Sequence, residues 1–323
     1  MGDRLSRRVL LREAANTSKN PCMRLTLIHN PASGDDAQPA ADDLIALVRA
    51  AGHDVVYRSS HDSDWTEALE DPGDLLAIAG GDGTVADVAK RMIGSTVPLA
   101  LLPMGTANNI SRSLGVADIP LAQLVTGWNS ASRARFDVGV ARGPWGTRYF
   151  LESIGIGLLA RIIAEAEASA TLASLHRADA KVAYALQMLK DSVQCCPSMV
   201  LNVTLDGHDL SGSYLLFEAM NTQYVGPNLY LARHGSTGDG VFDIALVTES
   251  ERDRLERSLA NWQNGAMHRP ELSSYRGRQL RIQWSSHPLH IDGVLDPKLD
   301  AYSGPFEVEV TMARHALEFL LPA

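Results

Sequence analysis

Basic charge, cysteine and long apolar runs are all scarce in this sequence, and each shortage removes a class of protein. Lys and Arg number 29 against 38 Asp and Glu, leaving a formal net charge of −9. A general nucleic-acid binder presents a basic face to the phosphates, so that class is set aside. Three cysteines, two of them the neighbours Cys195 and Cys196, make neither a disulfide framework nor a C-x-x-C zinc pattern. A reducing, cytoplasmic setting is the simple expectation. No stretch approaches the roughly eighteen uncharged apolar residues of a membrane-spanning helix. The opening segment has paired arginines but lacks the apolar centre of a secretory signal. Residues 1–22 therefore read as a flexible arm with no assigned function, and Met23, just before the first strand-like run, is an alternative start.

What is present is enough for a core. The 323 residues, 45% of them hydrophobic, make two domains the expectation. From Arg24 the pattern repeats as strand, loop, helix. "RLTLIH" ends in "NPASG", "AADDLIALVRAAG" is helical, "HDVVYRSS" is a strand and "SDWTEAL" a short helix. "DLLAIA", "GGDG", the helix "TVADVAKRMIG", the strand "PLALLP" and "MGTANNISRSLG" follow. Nearly unbroken apolar strands alternating with helices imply a parallel sheet covered on both faces.

After about Ala131 longer strand-like runs take over, from "RARFDVGVARG" and "TRYFLESIGIG" to "PFEVEVTMA", separated by turn signals such as Asp206-Gly207. They predict an antiparallel sandwich. A helical insert is expected from about Leu158 to Ser192, with apolar residues such as Leu159, Ile162, Leu172, Val182 and Leu186 at helical spacing. Their first reading is core, and their second is the wall of a ligand pocket.

"NPASG" (Asn30 to Gly34), "GGDGT" (Gly80 to Thr84) and "PMGTANN" (Pro103 to Asn109) each follow the carboxyl end of a predicted parallel strand. Those ends converge on one crevice in an open α/β sheet. Glycines let several N–H groups turn toward one anion, and a helix opening at Thr84 adds its own. An aspartate in such a loop repels a bare phosphate but suits one carrying magnesium. No G-x-x-x-x-G-K-[ST] occurs, so this is not a P-loop, and no protein-kinase signature set is present.

Together "NPASG", "GGDGT" and "LPMGTANNISRSLG" resemble the nucleotide-binding half of the diacylglycerol kinase catalytic family, whose relatives include sphingosine kinases and, more remotely, NAD kinases. The similarity continues, in the family's order, through "YFLESIGIGLLA" and "GDGVFDI". It implies a nucleotide-binding α/β domain at 23–131, rejoined by about 312–323, and a β-sandwich lipid domain at 132–311 with the active site between them. It also implies ATP and Mg²⁺ as cofactors and a lipid hydroxyl as acceptor, reached by transient peripheral contact at the inner membrane face. Carried over by position, Asn30, Ser33 and Gly34 are nucleotide contacts, Gly80, Gly81, Asp82, Gly83 and Thr84 the phosphate loop, and Ser60 and Thr106 further ATP contacts. Asp239, with the carbonyls of Ser236 and Val241, matches a structural magnesium site.

The pattern also breaks. The family's Asp-Gly-Glu, whose glutamate is the proposed base, reads Asp292-Gly293-Val294 here, and valine cannot take a proton. Ala86 and Asp87 stand where Asn-Glu is usual, and Leu159 where an aspartate is often found. Asp82, and after it Asp292, are the expected proton acceptors. A silent nucleotide- or lipid-binding regulator and a soluble-metabolite kinase of the NAD kinase type are the alternatives. "GIGLLA" fits a dinucleotide fingerprint but lacks the strand and acid that should follow. His287 and His290, near Asp292 and Asp296, read as ordinary exposed histidines rather than metal ligands.

Overall fold

The computed structural model describes residues 22–35, 37–232, 234–264, 272–284, 287–295 and 305–322. The arm at 1–21 and Asp296 lie outside them.

The first half runs β1 (Arg24–His29), α1 (Ala41–Ala50), β2 (Asp54–Ser59), β3 (Leu75–Gly80), α2 (Asp82–Arg91), β4 (Leu99–Pro103), α3 (Asn109–Ser113) and α4 (Leu121–Gly127). Its strands are parallel in the order β4-β3-β1-β2. Every residue of β3 is buried, as a strand covered on both faces requires. The run "SDWTEAL", expected as a helix, is a 3₁₀ turn at Trp65–Leu69. Helix α2 starts at Asp82, two residues before the expected Thr84, so Asp82 and Gly83 belong to its first turn.

The second half runs β5 (Ser132–Gly143), β6 (Gly146–Phe150), β7 (Ser153–Gly157), α5 (Leu158–Glu167), α6 (Ala170–Ser174), α7 (Ala178–Val193), β8 (Met199–Leu205), β9 (His208–Asp209) and β10 (Gly212–Met220). It continues with β11 (Tyr224–Val225), β12 (Leu229–Tyr230), β13 (Phe242–Thr248), α8 (Arg252–Gln263), β14 (Ser273–Gly277), β15 (Gln279–Trp284), β16 (Leu289–Ile291), β17 (Val294–Leu295) and β18 (Phe306–Leu321). One antiparallel layer holds β5, β6, β8, β9, β15 and β18. The other holds β7, β10, β13, β14, β16 and β17. They close over Phe150, Phe217, Phe242, Trp284 and Val308, which is the expected sandwich core.

Two expected elements are divided. The helical insert is three helices, and Ser169 caps the second by accepting the Leu172 N–H at 3.2 Å. Its apolar residues divide between two surroundings. Leu186 and Leu189 are packed with α8 residues into a core on the outer face of the sandwich, whereas Ile163, Leu172 and Val182 line a cavity. The run "TRYFLESIGIG", expected as one strand, is interrupted at Leu151 and Glu152. Their N–H groups are turned away from the ladder, for a reason that lies in the site.

Strand β18 ties the halves together. Val308 and Val310 sit in the sandwich, while Leu317 and Phe319 enter the core of the first half, where Phe319 pairs with Leu99 in parallel. A register shift between Ala313 and Leu317, with His315 at φ 51°, redirects the strand between the two cores. Phe319 is 1% exposed and meets Phe136 edge-on at 5.0 Å. Phe319→Ala should therefore cost about 3–5 kcal/mol in urea unfolding, the usual range for a buried phenylalanine. A cost within the range of a surface substitution, about 0.5 kcal/mol, would show that β18 is not part of the first core.

Candidate active site

The glycine-rich loops meet at the carboxyl ends of β1, β3 and β4. Asn30 Nδ2 donates to Thr84 Oγ1 at 2.9 Å, and Ser33 Oγ accepts the Gly81 N–H at 3.2 Å. Gly81 and Gly105 pass so closely that a Cβ on Gly105 would lie 2.3 Å from the Gly81 Cα, which is why both are glycine. Gly34 lies against the same loop, next to the Met104 carbonyl. Ser60 follows β2 and donates its N–H to the His29 carbonyl at 2.8 Å, beside Asn30. Gly80 packs on the Thr84 side chain. Gly83 and Thr84 occupy the first turn of α2, whose N–H groups a helix leaves without intrahelical partners.

Asp82 stitches two loops. Its Oδ2 accepts the Asn109 N–H at 2.9 Å and its Oδ1 the Ile110 N–H at 3.0 Å, at the start of α3. Burial, and then repulsion from Asp292, push its carboxyl above the ordinary range, against the pull of these N–H groups.

Asp292 explains the break between β6 and β7. Its carboxylate accepts the N–H groups of Leu151 (3.0 Å), Glu152 (2.8 Å) and Ser153 (3.3 Å) and lies 2.7 Å from Lys90 Nζ of α2. Its side chain is only 4% exposed. So Asp292, an expected proton acceptor, is an anchor joining the halves. Asp82 likewise spends both oxygens on backbone donors. Val294, where the family's base stands, is 64% exposed on β17 and is not among the cavity-lining residues.

Between these groups lies Glu152, which the sequence reading passed over. It is buried, and Asn109 Nδ2 donates to its Oε2 at 3.0 Å. Burial, then the charges of Asp82 and Asp292, push its carboxyl well above the ordinary value of 4.5. The signal was a glutamate inside an apolar run, a rare position for an unpaired acid. Glu218, in "YLLFEAM", carries the same signal. It is fully buried and 2.8 Å from His290 Nε2. His290 was expected to be exposed. It is 1% exposed instead, because this pair lies beneath the Gly155 backbone, where a Cβ would come within 1.9 Å of the Glu218 carboxylate. The glycines of "GIG" are thus packing residues.

A cavity of about 570 Å³ starts at Asp82, Thr106, Glu152 and Asp292 and runs along the apolar face of the insert. Lys181 of α7 lines it and reaches the Gly34 carbonyl at 3.3 Å, so the insert touches the first glycine-rich loop.

At the expected structural magnesium site, Asp239 pairs with the Arg276 guanidinium, which also lies 3.7 Å from Asp243, and accepts the Val241 N–H at 3.1 Å. Ser236 lines a surface depression with Gly235 and Gly238. Among the described residues no group of three or more His, Cys, Asp or Glu side chains is placed to hold a metal ion.

Comparison with known proteins identifies both halves. The family model for the diacylglycerol kinase catalytic domain matches residues 24–141, and that for the YegS C-terminal NAD kinase beta sandwich-like domain matches 160–311. Residues 24–141 thus match a diacylglycerol kinase catalytic domain, and the sandwich that follows matches the domain that accompanies it in YegS. It is 24% identical over 318 residues to a diacylglycerol kinase of Mycobacterium tuberculosis, covering 93% of this chain and 95% of that one. A diacylglycerol kinase of Bacillus subtilis is 25% identical over 236 residues, covering 70% and 74%. The crystal structure of a diacylglycerol kinase from Bacillus anthracis has the same fold, with a TM-score of 0.68 at 20% identity over 92% of this chain and 96% of that one.

A group whose pKa is raised by folding adds stability that is full below its unfolded value and lost as pH rises through the folded one. Glu152 is such a group. Glu152→Gln should therefore melt above the parent protein at alkaline pH, with the gain shrinking toward about pH 4.5, the unfolded value of glutamate. Melting curves across that range check this, and a difference that does not change with pH would contradict it.

Proposed function

We propose that this protein transfers the γ-phosphoryl group of ATP to a hydroxyl of a lipid, a diacylglycerol, sphingoid base or related molecule. The observation that carries this reading is the shape of the cavity. Its inner end abuts the phosphate loop, and its length is walled by Leu159, Ile162, Ile163, Leu172 and Val182. A soluble metabolite would gain nothing from that wall, whereas an acyl or alkyl chain would be removed from water along it. The match of residues 24–141 to the diacylglycerol kinase catalytic domain supports the same chemistry.

Phosphoryl transfer asks for positioning and charge neutralisation more than for covalent chemistry. The first-turn N–H groups of α2 and the Thr84 hydroxyl would hold phosphate oxygens, with Asn30 and Ser33 fixing the loop that presents them. The acidic inner end suits a cation carried in by the nucleotide. Mg²⁺ favours phosphate oxygens and water with few carboxylates, and Asp82 would meet it through water. When bound, the ion would neutralise charge on the β- and γ-phosphates.

No helix among the described residues is long and apolar enough to cross a membrane. Transient peripheral contact is proposed instead, and exposed Val294, beside the cavity-lining Gly293, is one apolar side chain available for it.

Incubation with γ-labelled ATP, Mg²⁺ and a total bacterial lipid extract should label a lipid. Asp82→Asn should lower that labelling by at least about tenfold, since it loosens the loops the nucleotide rests on. Nucleotide binding with no labelled product from any lipid would instead make the chain a regulator. Labelling of NAD alone would move it to the soluble-metabolite branch.

A further inference from the structure

Both carboxylates expected to accept the substrate proton are committed elsewhere, and position 294 is a surface valine. A third carboxylate, on the short break between β6 and β7, is placed differently. Glu152 lines the inner end of the cavity together with Asp82, Thr106 and Asn109. Only one of its oxygens is held, by Asn109 Nδ2 at 3.0 Å. Among the described residues its Oε1 accepts no hydrogen bond. The same Asn109 donates its backbone N–H to Asp82, so one residue places Glu152 alongside the phosphate loop. The Glu152 N–H is in turn fixed by Asp292, which Lys90 holds. Asn109 itself is 3% exposed, and its Oδ1 has no partner among the described residues.

We infer that Glu152 is the general base that accepts the proton of the acceptor hydroxyl in this protein. The inference rests on the kinase reading above and adds the residue that makes the nucleophile. In the step, the substrate O–H bond breaks and its proton passes to Glu152 Oε1. The hydroxyl oxygen bonds the γ-phosphorus of ATP, and the bond from that phosphorus to the β–γ bridging oxygen breaks. Its electron pair leaves with ADP. The proton on Glu152 is returned to solvent before the next turnover, so atoms and charge balance.

The surroundings match the role. Asp82 and Asp292 face Glu152 as like charges, Lys90 faces it as the opposing one, and the His290–Glu218 pair lies beyond Asp292 on β16 and β10. With the negative groups in excess, the Glu152 carboxyl sits well above its usual range. That makes it a stronger proton acceptor than an exposed glutamate once ionised.

The test uses the full chain, γ-labelled ATP, Mg²⁺ and whichever lipid the parent protein labels. Glu152→Gln keeps an amide oxygen for Asn109 but cannot take a proton. It should lower kcat by about 10²–10⁴-fold, the usual contribution of a general base, with the KM for ATP unchanged. The acid limb of the pH profile of kcat/KM should disappear with it. Glu152→Ala should regain activity when formate is added, and Glu152→Asp should retain a measurable rate and the acid limb. These two variants carry the test if the glutamine variant does not fold. Parent-like kcat in Glu152→Gln, or an alanine variant that formate does not rescue, would overturn the assignment while leaving the kinase reading intact. A parent protein that labels no lipid at all would overturn both.

Discussion

The cleft is built around one carboxylate. Asp292 gathers three backbone N–H groups from the break between β6 and β7 and pairs with Lys90 from the first half. At 4% exposure it is buried, with backbone donors and one cation around it. Much follows from this contact. It stops the strand at Phe150, releases Leu151 and Glu152 from ladder pairing, and aims Glu152 at the phosphate loop. It also locks helix α2, whose first turn is that loop, against the sandwich. The left-handed turn at Asp292 and Gly293 is held from behind, since the Gly293 N–H donates to His290, which is fixed by Glu218.

The same cluster sets the electrostatics. Asp82, Glu152 and Asp292 share one interior with Lys90 as the cation paired to Asp292, an arrangement that burial penalises. Proteins hold like charges together chiefly where function asks for it. On the reading proposed above, a nucleotide arriving with a divalent cation would supply the missing positive charge at that point, and the apolar wall of α5, α6 and α7 would carry the other substrate to the same place. The polar and apolar ends of one cavity would then correspond to the two reactants.

What the sequence alone conveyed was local, and what it withheld was long-range. Glycine-rich turns after buried strands are legible because the backbone demands them within a few residues. Hence Asn30 to Gly34, Gly80 to Thr84 and the segment at 103–109 were found, and with them the fold. The start of α2 was misplaced by two residues because Asp82 suits both a loop and a helix first turn. The insert was read as one helix because its apolar spacing runs nearly unbroken through Ser169, where a serine cap restarts the chain. Glu152, Lys90 and the Glu218–His290 pair could not be assembled from spacing. They lie far apart in sequence, and a lone acid in an apolar run says that a partner exists without saying which. Position 294 taught the opposite lesson, since the missing glutamate drew attention to a site that the fold places on the surface.

The central claim is that nucleotide loops and an apolar pocket meet at one acidic point, and hydrogen exchange of backbone amides tests it directly. A non-hydrolysable ATP analogue with Mg²⁺ should slow exchange at 30–34, 80–84 and 103–110, and the lipid acceptor should slow it along 158–185. With both bound, protection should join at 151–153. Protection by the nucleotide outside those loops, or by the lipid away from the insert, would contradict the account.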